Sequence, residues 1–383
     1  MITYIVMIII SIVFLLISNR SDNKKKKILY YILATLSFFF VSAIRYDVGT
    51  DYLKRYVYDF NRMSQGINIE NFEIGFKIII WFCLLFTKNS QLLFIITSAI
   101  TITLTMNTIY EKSKNIVLSF LIFFLGGFFF DTLNLIRQYI AISIILFSYR
   151  LLVKKSQEKK DYIIFGLSVL IAMSMHSSSI VAFIILFLNK KMIMNWKWLM
   201  PTCIIVLILN ENLMNSIEWI IQNTRFNVYL TGKMARGEIS ILFILENFLV
   251  YVFMCYIFSR NQKISNNNKE DILFMNIQGL SLLVTTLGSC HMQFARIALY
   301  FLIFQIISIP NFIANMPIEE IKKDIEKIIK NKMYLNKIMP NLKNIVAVVF
   351  IICFTTIFWY NNIKNNNNDV VPYKVIFSAE NRK

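Results

Sequence analysis

Apolar runs that approach the thickness of a bilayer recur along the whole chain, and short polar segments separate them. Of the 383 residues, 57% are hydrophobic and only 16% are charged, which leaves too little polar side chain to coat a soluble globule. A transmembrane helix needs about 20 predominantly apolar residues. We therefore predict an all-α polytopic integral membrane protein with about 12 transmembrane helices. The predicted runs are 2–18, 28–44, 91–109, 116–130, 138–153, 162–175, 178–189, 198–210, 239–258, 272–289, 296–313 and 344–360.

The excess of positive charge does not indicate a nucleic-acid-binding protein. The formal net charge is +18, but the lysines and arginines are scattered between apolar runs, as in cytoplasmic loops that face anionic membrane lipids. The five cysteines stand singly in or beside apolar runs, without CxxC spacing, so we predict neither disulfides nor a metal site. The predicted inner loops hold no phosphate-binding or dinucleotide motif, and we expect no cofactor.

One further apolar run, Ile74 to Phe86, decides the topology. If it spans the bilayer, the lysine-rich segment 154–160 lies outside, against the preference of basic loops for the cytoplasmic side. We therefore interpret the run as a re-entrant or interfacial helix on the outer face, within an extracytoplasmic loop of residues 45–90. The first apolar run is then a retained span whose N-terminus lies outside.

On this interpretation, residues 1–383 form a single multi-span domain in the cytoplasmic (inner) membrane. A second extracytoplasmic loop covers 211–238. A basic loop at 314–343 has the pattern of an amphipathic helix, which we expect to lie on anionic lipid at the cytoplasmic side.

Arginines and acids follow the second run on the predicted outer face, where positive charge is disfavoured. In the segment Arg45-Tyr46-Asp47-Val48-Gly49-Thr50-Asp51-Tyr52, Gly49 permits a tight turn. The turn would let Asp47 and Asp51 approach one pocket, with Arg45 and Arg55 beside it. A hydrated loop with mutual salt bridges is the alternative.

A second polar group joins two apolar runs between Asp131 and Ala141. If one helix continues through it, Asn134, Arg137 and Gln138 share a face at positions i, i+3 and i+4. An arginine at such depth needs an anionic partner, and we predict an external anionic ligand. An internal pair of Arg137 with Asp131 is the alternative.

Three further outer positions carry cationic or titratable side chains. His176 interrupts a long apolar run, so we expect two short spans to meet there, and its imidazole is a candidate general base. Arg225 lies in an outer loop with aromatic and amide neighbours suited to a sugar. Arg296 again places a guanidinium at the outer mouth of a helix. The second histidine of the chain, His291, is expected to be a surface residue.

Taken together, these segments resemble the EpsG-type family of Wzy-like polysaccharide polymerases. Five of them occur in the family's order: RYDVGTDY from Arg45, NFEIGFK from Asn71, LNLIRQYIA from Leu133, MHSSS from Met175 and FARIALYF from Phe294. The resemblance implies an inner-membrane enzyme of capsule, exopolysaccharide or O-antigen synthesis. Such an enzyme joins oligosaccharide repeat units carried on undecaprenyl pyrophosphate at the outer face, beside a flippase and a chain-length regulator of the same pathway. The resemblance also implies kinship with metal-independent, GT-C-like glycosyltransferases.

A lipid pyrophosphate substrate gives the outer residues candidate roles. Joining two units requires cationic stabilisation of the leaving pyrophosphate and a base for the attacking hydroxyl, and the forked donors of arginine suit a pyrophosphate. The predicted pyrophosphate-binding and sugar-binding residues are Arg137, Arg296, Arg45, Arg225, Asn134 and Gln138. The predicted catalytic base is His176, with Asp47 and Asp51 as substitutes.

Two other classes of membrane protein fit the same composition. A flippase or transporter of the lipid-linked oligosaccharide would have a similar number of spans, but charge collected at one face favours transfer over translocation. A membrane acyltransferase that modifies polysaccharide could use a histidine base, although its acyl donor generally arrives from the cytoplasm. We therefore expect a polymerase.

Overall fold

The computed structural model describes residues 1–70, 72–222, 241–261, 268–327 and 338–377. Over these ranges the chain is helical and contains no strand beyond one isolated bridge between Arg45 and Val375. It divides into two compact units. The first unit comprises Met1–Ile180 and Phe350–Lys383, and the second comprises Val181–Val349.

Polar residues set the starts of helices in the first unit. The Asn23 side chain accepts hydrogen bonds from the backbone amides of Lys25 and Lys26 at the start of one helix, as expected for an N-cap residue. The helices are α1 (Ile2–Arg20), α2 (Lys24–Ala43), α3 (Tyr58–Ser64), α4 (Ile74–Leu84), α5 (Gln91–Lys112), α6 (Ile116–Leu125), α7 (Phe128–Asn134), α8 (Ile136–Ser148) and α9 (Lys159–Met175). A π-helical segment, Tyr52–Val57, precedes α3, and 3₁₀ segments at Tyr149–Val153 and Ser177–Phe187 follow α8 and α9.

The second unit is organised around buried amide side chains. Asn276 accepts hydrogen bonds from the backbone amides of Ile193 and Met194 and donates to the carbonyls of Leu188 and Lys191, so it fixes the turn between two helices. The helices are α10 (Trp196–Ile208), α11 (Asn210–Ile221), α12 (Ile241–Asn261), α13 (Lys269–Leu287), α14 (Met292–Leu302), α15 (Gln305–Ala314) and α16 (Ile318–Glu326). A later helix, α17 (Leu342–Phe358), leads back into the first unit.

The described helices make this a multi-pass membrane protein with six to eight candidate spans. Six stretches in the described ranges are long and apolar enough to cross a bilayer, and the number rises to eight if each of two bent pairs forms one span. The sequence pattern predicted about 12, because it counted every apolar run. Several runs fold as helices too short to span alone, and the bends within the pairs are 52° for α6 with α7 and 47° for α14 with α15. The six stretches are α1, α2, α5, α8 with its extension to Val153, α12 and Met339–Lys364, which contains α17.

One end of the first unit collects several loops that are distant in sequence. The side-chain amide of Gln91, at the start of α5, donates to the carbonyl of Ala43 at 2.5 Å. The C-terminal end of α2 therefore lies next to the N-terminal end of α5. The Tyr4 hydroxyl donates to the carbonyl of Val370 at 2.9 Å, so the N-terminus and the chain after α17 lie at this end too. Hydrogen bonds from Arg45 and Thr50 to Leu133 and Asn134 bring the junction of α7 and α8 to this end as well. We call it the loop end, defined by residues 1–4, 44–52, 91, 133–137 and 365–377.

Helix α4 lies between two points that both belong to the loop end. Its 11 residues give a length of about 16 Å, against a hydrocarbon core of about 30 Å. The helix is therefore too short to span a bilayer alone, and its re-entrant or interfacial placement stays a prediction. The extracytoplasmic position of this end stays a prediction.

Candidate functional site

An ionic cluster at the loop end joins three residues that are distant in sequence. Nη1 of Arg137 donates to Oε2 of Glu73, and Nδ1 of His176 lies 3.3 Å from Oε1 of the same carboxylate. The backbone amide of Ser177 also donates to Oε1, at 2.9 Å. The carboxylate of Glu73 thus bridges a guanidinium and an imidazole. We call Glu73, Arg137 and His176 the Arg–Glu–His cluster.

Each member of the cluster lies at the end of a helix. Glu73 precedes α4, Arg137 is in the first turn of α8, and His176 follows α9. Gly75 allows α4 to approach α9, because a Cβ atom there would lie only 2.8 Å from the carbonyl oxygen of Ser174. The absence of a side chain at this position therefore brings Glu73 to its partners.

The surroundings of Glu73 keep its carboxyl group ionised. Burial alone would raise the pKa of Glu73, but the contact with His176, the charge of Arg137 and the amide of Ser177 together lower it to about 2. Opposite charge and hydrogen bonding to the charged form therefore outweigh desolvation. At neutral pH the cluster presents a fixed carboxylate between two nitrogen groups.

An aromatic ring lies beneath the guanidinium of the cluster. The Cζ atom of Arg137 lies 4.8 Å from the centroid of the Phe72 ring, and that of Arg55 lies 5.7 Å from the same centroid. Tyr56 stacks on Phe72 with centroids 6.3 Å apart and an interplanar angle of 21°. Two arginines therefore converge on one aromatic face, an arrangement that favours cation–π contact.

The loop after Arg45 packs against the end of α7. Gly49 has a φ of +105°, and a Cβ atom there would lie 3.0 Å from the carbonyl oxygen of Leu133, so the turn requires glycine. The side-chain oxygen of Asn134 accepts hydrogen bonds from the Thr50 hydroxyl at 2.8 Å and from the Asp51 backbone amide at 3.2 Å. Asn134 therefore holds this loop in place.

The prediction that Asn134, Arg137 and Gln138 share one helix face is wrong. The helix is interrupted at Leu135, whose φ and ψ are −92° and 52°, so Asn134 ends α7 while Arg137 and Gln138 belong to the first turn of α8. All three side chains are buried. Asn134 therefore contacts the loop at Thr50 and Asp51, whereas Arg137 contacts Glu73.

Asp131, the alternative partner considered for Arg137, has other hydrogen bonds. Its Oδ2 accepts from the Tyr139 hydroxyl at 3.0 Å, and its Oδ1 accepts from the side-chain amide of Asn368 at 2.9 Å. Among the described residues, Arg137 forms an ion pair with Glu73. An internal anionic partner therefore exists, but it is Glu73 and not Asp131, and the external anionic ligand stays a prediction.

The two aspartates of the first motif have separate partners. Asp47 adopts a positive φ of 50°, and its Oδ2 accepts a hydrogen bond from Nζ of Lys374 at 3.0 Å. Oδ2 of Asp51 lies 4.0 Å from Nη1 of Arg55. Asp51 therefore lies next to Arg55, whose guanidinium is close to the Phe72 ring beside the Arg–Glu–His cluster. Asp47 instead contacts the chain that follows α17.

Arg45 is buried inside the first unit and connects three of its helices. Its guanidinium donates to the carbonyls of Ser42 and Leu133, and its Cζ lies 5.0 Å from the centroid of the Phe94 ring. Burial lowers the pKa of Arg45 to about 10, which leaves it charged at neutral pH. These contacts tie α2, α5 and α7 together, so its position favours a supporting role over direct contact with a ligand.

The remaining predicted residues lie in the second unit or outside the described residues. Arg296 is partly buried in α14 of the second unit, and Arg225 lies outside the described residues. The expectation that His291 is a surface residue is wrong. Its side chain is 4% exposed, and Nδ1 accepts a hydrogen bond from the backbone amide of Gln293 at 3.1 Å, which caps α14.

Sequence reasoning missed Glu73 and Phe72 as members of the site. Both stand just before α4, in the segment that carried part of the family resemblance. The available signal was a single carboxylate at the start of a short apolar run whose neighbouring loops carry arginines. Without the close approach of α4 to α9, that signal does not connect Glu73 with His176.

Comparison with known proteins rests on a single family match. No curated protein and no solved structure gives a significant match to this chain. The model of the EpsG family matches residues 28–375, nearly the whole chain and every member of the Arg–Glu–His cluster. The chain therefore belongs to the EpsG family, a Wzy-like polymerase-type family, as its motifs predicted.

Proposed function

We propose that this protein is a polymerase that joins oligosaccharide repeat units carried on undecaprenyl pyrophosphate, at the outer face of the cytoplasmic membrane. The observation that carries the proposal is the Arg–Glu–His cluster, which places a guanidinium, a carboxylate and an imidazole together at the loop end. Family membership and the multi-pass fold support the same class of reaction.

Arg137 is the proposed binding group for the lipid pyrophosphate. A guanidinium carries five N–H donors in a planar fork that matches phosphate oxygens. It is held here by Glu73 and rests on Phe72, so its position is set before the substrate arrives. The pyrophosphate would share or replace the carboxylate contact, and charge developing on the leaving group would be stabilised by a guanidinium that is already in place.

His176 is the proposed general base. Glu73 orients the imidazole and would stabilise the cation that forms when the imidazole takes a proton. In the transfer step, the acceptor hydroxyl oxygen forms a bond to the anomeric carbon while the carbon–oxygen bond to the pyrophosphate breaks. The lipid pyrophosphate leaves with the bonding electrons, and the hydroxyl proton goes to His176.

The other predicted residues have supporting parts in this proposal. Asp51 and Arg55 lie at the Phe72 side of the cluster, where they would contact sugar hydroxyls. Arg296 and Arg225 stay candidates for a second pyrophosphate contact. Gln138, one residue after Arg137 and buried, is proposed to support the guanidinium from the first turn of α8.

A flippase for the same lipid-linked unit is the second candidate function, and one observation favours it. In the second unit, Glu246 is buried in the candidate span α12. Beside it, the side chains of Asn247, Gln278 and Gln305 form a buried hydrogen-bonded group from α12, α13 and α15. Polar groups inside spans frequently mark a transport path. We favour the polymerase because the Arg–Glu–His cluster gathers at helix ends, where a transfer reaction needs it.

Reconstitution separates the two functions. The purified protein in liposomes receives a lipid-linked repeat unit and no nucleotide sugar. We expect a ladder of elongated products on the lipid, and the same ladder from the Arg150→Ala variant, whose arginine lies at the opposite end of the α8 stretch. Movement of the unit across the bilayer without elongation would overturn the polymerase and favour the flippase.

A further inference from the structure

The chain that follows α17 folds back over the loop end. We call residues 365–377 the strap. Its course is set by Asn366, whose side-chain oxygen accepts hydrogen bonds from the backbone amides of Val370 and Val371, each at 3.1 Å. The Tyr373 hydroxyl donates to the carbonyl of Val41 at 2.8 Å. The strap is therefore held in a turn by Asn366 and attached to α2 through Tyr373.

The strap also contacts both halves of the first charged motif. The carbonyl of Asp369 accepts a hydrogen bond from the backbone amide of Gly49 at 3.0 Å, and Nζ of Lys374 donates to Asp47 at 3.0 Å. The backbone amide of Tyr46 donates to the carbonyl of Lys374 at 3.0 Å. The motif is thus held from one side by α7 and from the other side by the strap.

One strap residue, Asn368, belongs to a hydrogen-bonded relay. Its Nδ2 donates to Asp131 at 2.9 Å, and its Oδ1 accepts from Nδ2 of Asn134 at 3.2 Å. Asn134 in turn accepts from the Thr50 hydroxyl and from the Asp51 backbone amide. The relay runs from the strap to the edge of the proposed site, where Asp51 pairs with Arg55.

The relay needs an amide at position 368. A carboxylate accepts hydrogen bonds but donates none, whereas an amide does both. Because Asn368 donates to Asp131, its oxygen faces Asn134, and this fixes which end of the Asn134 amide faces Asp51. A change at position 368 would therefore reorient the groups that hold Asp51.

We propose that the strap is a working part of the polymerisation site and that Asn368 is its positioning residue. This inference rests on the proposed function and adds residues 365–377 to the site. Asn368 acts through Asn134 to place Asp51 and, through the pair with Asp51, the Arg55 guanidinium over Phe72. It does not contact the reacting atoms.

Exchanging the side chains of Asp131 and Asn368 tests the relay. Asn368→Asp places a carboxylate against Asp131 and removes the donor. Asp131→Asn alone keeps an acceptor for Asn368, and its new amide can donate to the Tyr139 oxygen. The double variant, Asp131→Asn with Asn368→Asp, restores every hydrogen bond of the relay, because the amide at position 131 now donates to the carboxylate at position 368. Asn367→Ala is the matched control, because its side chain is exposed beside Asn368.

We expect Asn368→Asp to lower the turnover of reconstituted protein roughly ten- to a hundredfold, while its affinity for undecaprenyl pyrophosphate without sugar stays that of the parent, since Arg137 is untouched. The double variant should recover turnover to within about threefold of the parent protein, and Asn367→Ala should match the parent. Protein amount in the membrane and the thermal unfolding midpoint are measured for each variant. If Asn368→Asp fails to accumulate, Asn368→Ala replaces it, with a smaller loss of turnover expected.

Two results would overturn the inference, and they are distinguishable. Parental turnover in Asn368→Asp or Asn368→Ala, with elongation intact, would show that the strap does not position the site and would leave the proposed function standing. A loss that the double variant does not recover would show that Asn368 acts by another route. Failure of the parent protein itself to elongate the lipid-linked unit would overturn the proposed function, and the positioning role with it.

Discussion

The stretch formed by α8 and its 3₁₀ extension carries an arginine near each end, and the two arginines have the same kinds of partner. Arg137 pairs with Glu73 and lies 4.8 Å from the ring centroid of Phe72. Arg150 pairs with Glu111 at 2.5 Å and lies 3.5 Å from the ring centroid of Phe147. Residue types alone therefore do not distinguish the proposed site from an ordinary surface pair.

Burial and a third partner distinguish the two ends. The side chains of Arg137 and Glu73 are 7% and 20% exposed, against 26% and 48% for Arg150 and Glu111. Exposed pairs contribute about 0–1 kcal/mol to stability, whereas burying charge is costly unless the geometry compensates. At the loop end, the carboxylate also contacts His176. The chain therefore maintains buried charges, which cost free energy, at the end of α8 that carries Arg137, and this is the pattern of a functional site.

The largest expected difference between the two ends is in the arginines themselves. Arg137→Ala should reduce polymer formation about a hundred- to a thousandfold, because it removes the donors for the leaving pyrophosphate. Arg150→Ala should change it less than about twofold. Turnover of reconstituted protein, normalised to protein amount, measures both. Equal losses in the two variants would remove the distinction between the ends.

Removal of His176, the third member of the cluster, should have an effect on turnover nearly as large. His176→Ala should lower turnover about a hundredfold through loss of the base. His291→Asn is the control, because asparagine can also cap the start of α14. Turnover of His176→Ala equal to that of the parent protein would exclude the imidazole as the base.

Substitution of Glu73 and of Glu111 should change turnover by factors that differ less than those for the two arginines. Glu73→Gln keeps an acceptor for Arg137 but removes the charge that orients and stabilises the imidazole, so we expect a loss of about tenfold in turnover. Glu111→Gln at the exposed end should be neutral. Turnover and membrane abundance of both variants check this, and a silent Glu73→Gln would reduce the carboxylate to a packing role.

The smallest expected effect is on stability in acid. The pKa of Glu73 is lowered from 4.5 to about 2 in the folded protein, so its ionised form stabilises the fold above the unfolded pKa. This contribution should be lost as the pH falls from about 4.5 to 2. Thermal unfolding of the parent and of Glu73→Gln measures it. Parallel curves for the two proteins across this range would contradict the prediction.

The sequence predicted the class of the fold and one end of the site, for identifiable reasons. Apolar runs and loop charge indicated a helical membrane protein, and the position of Arg137 at the start of a run indicated a cation at a helix end. The break at His176 was also visible, since a polar residue interrupts a long apolar run there. The motifs were enough to predict the family.

What the sequence could not predict depends on packing between distant helices. The interruption at Leu135, which separates Asn134 from Arg137, has no glycine or proline to announce it. The contact of Glu73 with His176 requires the close approach at Gly75. The predicted count of about 12 spans is not confirmed for a related reason, because run length does not reveal a bend such as the one between α6 and α7.

Binding of the lipid alone tests the central claim most directly, because it does not depend on turnover. Undecaprenyl pyrophosphate without sugar is titrated against the parent protein, Arg137→Ala and Arg150→Ala in the same detergent, with bound lipid measured by native mass spectrometry. We predict that the parent and Arg150→Ala bind alike and that Arg137→Ala loses at least about tenfold in affinity. Equal affinity of all three proteins would contradict the assignment of the Arg–Glu–His cluster as the pyrophosphate site.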